Sequence, residues 1–465
     1  VAAAVLAATL SAWVASAAMI ASPPPAPADA ASPRHVVLVS IDGLMPDTYL
    51  EADRLGLRVP NLRGLAARGV TARVLGVLPS VTYPSHTTLI TGVPPRRHGI
   101  VSNTLFDPTG LSNHAWSWYA RDVRTPTLVS AARAQGLVTA AVSWPVSVGL
   151  AADFNMPEFW RSGSEHPSDL GLLEALSAPG LIEAVARRRG RPFRYPPTDD
   201  ERTDAAAHLI EAHRPHLVLL HVFETDSAQH RHGPGSPEAK AALEAADARL
   251  GRVLAALAAA GIAERTLVAV VSDHGFLPVA AELRPNAVLR EAGLVTPDAK
   301  GKVASWRAWF QVDGGSAALH LREGEPPALA ERVRRLFEPK PGQPREGLRA
   351  VLDRAAIERL GGPAEAVLVL DAREGFTLDD VVSGSWSQPA KPATRGTHGY
   401  APDRPEMHAS LVMAGPGVAP KGHLGVVPMT SIAPTLARYL GLALAPEAGA
   451  PLPVLAEEDA RTPCR

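Results

Sequence analysis

Three apolar runs, far apart in the chain, each stop at an aspartate: HVVLVSIDG at 35–43, PHLVLLHVFETD at 215–226 and TLVAVVSDHG at 266–275. Their length and β-branched content mark them as buried strands. Amphipathic stretches lie around them. NLRGLAARGV (61–70) reads as a short helix with Gly69 as its C-cap, and PTLVSAARAQGLVTAAVSW (126–144) runs helix, glycine, strand. The long SPEAKAALEAADARLGRVLAALAAAG (236–261) is opened by Ser-Pro and closed by glycine. Buried strands alternating with helices build an α/β fold on a mostly parallel sheet. In such a sheet the carboxyl ends of the strands share the edge where ligands bind, so Asp42, Asp226 and Asp273 are expected to meet there.

HASLVMAGPG (408–417) reads as the last strand and MTSIAPTLARYLGL (429–442) as the last helix. Two less regular stretches, at about 104–205 and 280–392, are expected to be inserts or caps on one α/β domain spanning 34–465. Residues 1–20 carry no charge and SPPPAPADAASP follows, so 1–33 reads as a signal peptide with a Pro/Ala linker, a short membrane anchor being the alternative. The protein is therefore expected to be exported, periplasmic or extracellular. With 46 Lys+Arg against 47 Asp+Glu the charge balance is −1, which removes the general basic field that nucleic-acid binding relies on. No stable nucleic-acid partner is expected, and oligomeric state stays open. The one cysteine, Cys464, excludes a disulfide framework and a thiolate zinc cluster. Any metal site must use histidine and carboxylate.

Carboxylates gathered at one edge repel one another unless a cation neutralises them. Two of the three come with histidine, Asp226 with His230 in DSAQH and Asp273 with His274 in SDHG; His398 stands between glycines in GTHGY. Taken singly, a strand-end aspartate is usually a cap and a lone histidine usually a packed side chain. Their recurrence at one topological position points to metal, zinc ahead of manganese or iron, with donors enough for two ions. In LPSVTYPSHTTLITG (78–92), Thr82 precedes a Ser/Thr-rich helix start and is the nucleophile candidate. Its hydroxyl is weak near neutral pH, and coordination to zinc would lower its pKa.

The motifs SIDG (40–43), SVTYPSHTTLITG (80–92), HGIVSNTLFDP (98–108), ETDSAQHRHGP (224–234), SDHGF (272–276) and GTHGY (396–400) resemble, in order, those of the type I phosphodiesterase/nucleotide pyrophosphatase branch of the alkaline phosphatase superfamily. The resemblance reaches from residue 35 to about 442 and implies an alkaline-phosphatase-like fold. It also implies two Zn2+ per chain, one held by Asp226, His230 and His398, the other by Asp42, Asp273 and His274 with Thr82 on it. Asn103, with the Thr82 amide, would hydrogen-bond a non-bridging phosphoryl oxygen. The implied reaction passes through a phospho-threonine that is then hydrolysed. His86, His98 and His232 read as supporting or packing groups.

Sulfatases of the same superfamily need an oxidised Cys or Ser followed by Pro and Arg at set positions, which Thr82 and its followers do not supply. A threonine-type alkaline phosphomonoesterase is disfavoured because no lysine precedes Lys240, although Arg161 and Arg194 offer substitutes. Phosphonoacetate hydrolase is weakened by the same argument, and a non-catalytic exported metal-binding protein by the competence of every expected position. The expected substrate is a small-molecule phosphodiester of nucleotide or lipid head-group type. Phe106 and Trp160, with Trp116 and Trp118, are the candidate pocket aromatics.

Overall fold

The three acid-terminated runs are adjacent strands. His35–Ile41 lies between Leu217–Val222 and Thr266–Val271, parallel to both, and all three are buried along their whole length. The register pairs Ile41 with Val222 and Ser40 with Val271, so the strands stop level and the three aspartates follow at one edge. The computed structural model describes residues 34–112, 115–161, 166 and 168–456. The uncharged N-terminal run, the Pro/Ala linker and Cys464 lie outside the described residues.

The sheet has eight strands, in the order Gly422–Pro428, Val70–Leu75, Ala409–Ala414, Thr266–Val271, His35–Ile41, Leu217–Val222, Thr139–Val142, Phe154–Met156. Only Ala409–Ala414 runs against the rest. Helices cover both faces, as alternation of side chains along a buried strand requires. Val37, Val39 and Ile41 pack with Leu209 and Leu250 on one face, Val36 and Leu38 with Leu436 and Tyr439 on the other.

Several local expectations are corrected. The strand at 408–417 is not the last: the half-exposed edge strand Gly422–Pro428 follows it, broken by a register shift and lacking an apolar run. Gly69 does not cap the helix Pro60–Ala67, which ends at Arg68. It is glycine because a Cβ there would sit 2.1 Å from the Met413 carbonyl oxygen. The stretch 104–205 supplies the strands Thr139–Val142 and Phe154–Met156 to the central sheet. The stretch 280–392 holds a second, antiparallel sheet of Ala308–Asp313, Ser316–Leu321, Val369–Ala372 and Leu348–Leu352, with Phe310, Phe337 and Leu370 in its own core. Between the two sheets, Leu277–Leu283 pairs with the short strand Gly396–Thr397, which delivers His398 to the edge where the aspartates gather.

Leu38 is fully buried in the middle strand. Leu38→Ala is expected to cost about 2–5 kcal/mol of stability, read as a lowered urea midpoint with unchanged slope.

Candidate active site

Asp226 and His230 stand one turn apart on the helix Glu224–His232, which begins two residues after the strand Leu217–Val222. Asp226 Oδ1 lies 3.2 Å from His230 Nε2 and 3.5 Å from His398 Nε2. The other nitrogen of each ring is tied to backbone: His230 Nδ1 donates to the Gly396 carbonyl at 2.9 Å and His398 Nδ1 to the Ser80 carbonyl at 3.2 Å. Each imidazole thus turns Nε2 inward, as a metal-binding histidine does. Beside them, His274 Nε2 lies 3.4 Å from Asp42 Oδ1 and 3.1 Å from Asp273 Oδ2. Asp273 Oδ1 accepts from the amides of Gly43 and His274, each at 3.1 Å. The His274 and His398 rings stack at 3.6 Å.

Among the described residues, the donor atoms of Asp226, His230 and His398 lie within 4.8 Å of one another, and so do those of Asp42, Asp226 and His274. Asp226 belongs to both groups. Asp42 Oδ1, Asp226 Oδ1, Asp273 Oδ2 and His274 Nε2 are buried with no hydrogen-bond partner. Orphaned buried acceptors of this kind are costly, and a cation is what satisfies them. The donor set of carboxylates and imidazoles fits zinc. Burial, then the neighbouring Asp273 and Asp226, pushes the Asp42 carboxyl well above its usual range. Burial, then His274 and His230, pushes His398 well below, so its ring is neutral.

Thr82 opens the helix Thr82–Thr91 and is half-buried. The segment before and through it is clasped by two rings: His398 holds the Ser80 carbonyl, and His86 Nδ1 holds the Thr82 carbonyl at 2.8 Å while lying 3.7 Å from Asp273 Oδ2. Burial and the nearby His221 lower the His86 pKa to about 3. Asn103 Oδ1 accepts the Tyr83 amide at 2.8 Å, which fixes the side chain with its Nδ2 free to donate. His98 is buried against Thr88 and His232 is exposed, so neither joins the cluster.

The two aromatic candidates separate. Trp160 lies edge-on to Phe223 at 5.2 Å, immediately before the helix of Asp226, and 6.3 Å from Trp116, which covers Tyr83. Phe106 makes its ring contacts with His320 and Trp306 instead.

Sequence reasoning passed over His221, Glu158 and Arg202. His221 Nε2 donates to Asp42 Oδ2 at 3.1 Å and its Nδ1 to Glu158 Oε2 at 3.0 Å, which Arg202 also meets at 2.8 Å. All are buried. Burial works to neutralise His221, yet the Glu158 and Asp42 carboxylates raise its pKa to about 10. A histidine inside an otherwise apolar strand was the one available signal.

Residues 36–401 match the type I phosphodiesterase / nucleotide pyrophosphatase family. The chain belongs to that family. It is 29% identical over 261 residues to an uncharacterised pyrophosphatase/phosphodiesterase of Schizosaccharomyces pombe, covering 52% of this chain and 45% of that protein. It is 26% identical over 278 residues to ectonucleotide pyrophosphatase/phosphodiesterase family member 3 of Rattus norvegicus, covering 57% of this chain and 27% of that protein. The match thus spans less than half the length of these curated relatives. Murine ectonucleotide pyrophosphatase / phosphodiesterase 5, solved in an inactive form in complex with AMP, superposes with a TM-score of 0.63 at 21% identity, over 90% of this chain and 97% of that one. The family's alkaline-phosphatase-like α/β fold is therefore the fold of this chain.

Asp313, at the end of the strand Ala308–Asp313, is buried and accepts from Ser102 Oγ at 2.6 Å. Burial raises its pKa to about 7. Its folded value lies above its unfolded one, so the stability it contributes is present at low pH and is lost as pH rises through about 7. Between pH 5 and pH 8, Asp313→Asn is expected to lose less stability than the wild type, compared by urea midpoints.

Proposed function

We propose that this chain is an exported, two-zinc phosphodiesterase/nucleotide pyrophosphatase that works through a phospho-threonine. The observation carrying this reading is the set of four buried, unpartnered donor atoms on Asp42, Asp226, Asp273 and His274, converging beside His230 and His398. One ion would be held by Asp226, His230 and His398, the other by Asp42, Asp273 and His274. Bound there, zinc supplies Lewis-acid polarisation and lowers the pKa of an adjacent hydroxyl.

The chain's own groups then have defined tasks. Thr82 Oγ1 attacks phosphorus, forming one P–O bond while the bond to the leaving group breaks; water afterwards cleaves the threonine ester. Asn103, held by the Tyr83 amide, donates its Nδ2 hydrogen to a non-bridging oxygen. Trp160, Phe223 and Trp116 supply an aromatic wall against which the second ester substituent, a nucleoside above all, is buried. Export rests on the uncharged 1–20 run and on the relatives named ectonucleotide enzymes. Among the described residues no helix is long and apolar enough to cross a membrane.

Chelation is expected to abolish hydrolysis of bis(p-nitrophenyl) phosphate, and added zinc to restore it. Thr82→Ala is expected to keep its metal, counted by elemental analysis, while kcat falls at least about a thousandfold; Thr82→Ser keeps part of the rate. A wild-type rate in the alanine variant, or full activity in metal-free protein, overturns the mechanism.

With a common p-nitrophenol leaving group, kcat/KM is expected to be higher for a diester than for the monoester, because Asn103 is a neutral donor and the extra charge of a monoester meets no lysine before Lys240. A tenfold preference for the monoester, about 1.4 kcal/mol in transition-state binding, would transfer the chain to the phosphomonoesterase reading.

A further inference from the structure

The segment 99–106 has two sides. Asn103 turns its amide to Tyr83, whereas its neighbours Ser102 and Thr104 border a separate cavity of about 560 Å3. None of the proposed metal ligands lines it, nor does Thr82. Its volume lies within the roughly 300–1,000 Å3 that small-molecule sites occupy.

Its lining is chemically mixed. Phe106 is 39% exposed, and its ring lies 4.3 Å from His320 at 33°, with Trp306 edge-on at 5.5 Å. Burial lowers the His320 pKa to about 4, so near neutral pH an uncharged ring backs Phe106, whose side chain is the exposed one. Gln311 Nε2 donates to the Thr104 carbonyl at 3.0 Å, leaving its Oε1 as an acceptor beside those rings. Glu365 is on the same wall. At the rim stand Arg121 and Arg124. The nearest carboxylate to Arg121 is Asp122 at 4.0 Å, and among the described residues Arg124 makes no ion pair. Its aliphatic stem is laid against Gly99, where a Cβ would meet Arg124 Cδ at 2.9 Å.

One cavity thus brings together an aromatic ring, an acceptor for an exocyclic amine, a carboxylate for hydroxyls and two guanidinium groups for an anion, the kinds of group that base, ribose and phosphate call for. We propose that this cavity is a second site, distinct from the reaction centre, that takes a nucleoside monophosphate. The base stacks on Phe106, which His320 backs, the ribose hydroxyls donate to Glu365, and Arg121 and Arg124 hold the phosphate.

The test is AMP titration of the zinc-loaded full chain by calorimetry, with stoichiometry as the readout. The wild type is expected to bind one more AMP per chain than Arg121→Ala/Arg124→Ala, a double change confined to exposed side chains. Phe106→Ala is expected to weaken that site about tenfold, the scale of one base stack. Equal stoichiometry and affinity in the wild type and both variants overturns the proposal. If the reaction centre itself binds no AMP, both counts drop by one and the difference between them stands, so a failure of the diesterase reading is distinguishable from a failure of the second site.

Discussion

Mutual repulsion among Asp42, Asp226 and Asp273 is the constraint on which the rest of this molecule depends. Strand register brings Asp42 and Asp273 to one edge, the helix Glu224–His232 that follows the neighbouring strand sets Asp226 beside them, and burial there strengthens every interaction between like charges. Such a cluster persists only with positive charge or donors supplied to it. The helix Glu224–His232 delivers His230, the SDHG turn delivers His274, and the short strand Gly396–Thr397 delivers His398 from across the molecule. These deliveries converge on acceptor atoms that protein groups leave unsatisfied. The geometry is that of a site able to hold metal.

Behind Asp42 runs a row of alternating charge: carboxylate, His221, Glu158, Arg202, all buried. A buried ion pair adds little net stability relative to well-packed apolar side chains, but breaking one strands a charge in the interior at about 3–5 kcal/mol. The row therefore acts on geometry. By holding Oδ2 of Asp42 it leaves Oδ1 as the atom facing His274. Supporting contacts of this kind fix which carboxylate oxygen faces the neighbouring groups.

The legible part of the sequence was the part governed by local pattern. Buried strands announce themselves by β-branched runs, and an acid at the end of each is a position any reader can align, so Asp42, Asp226 and Asp273 could be placed together from sequence. His230 and His274 came with them by proximity, and His398 by the glycines around it and by the family resemblance. What escaped depends on side chains distant in sequence. Glu158 and Arg202 look like surface residues until the strand Phe154–Met156 and the helix Asp199–His213 carry them inward. Phe106 and Trp160 were indistinguishable as exposed-loop aromatics, and only the path of the chain sends one toward Asp226 and the other to a separate cavity. The edge strand Gly422–Pro428 was missed because an edge strand need not be apolar.

The end of the strand Ala308–Asp313 reaches two parts of the candidate site. Asp313 holds Ser102, next to Asn103, and two residues on the Gly315 amide donates to the His398 carbonyl at 2.7 Å. A region that looks like an ornament on the central sheet thus works as a spacer, setting how far Asn103 stands from His398. A protein trimmed to its central sheet would keep the three aspartates and lose the set distance between Asn103 and His398.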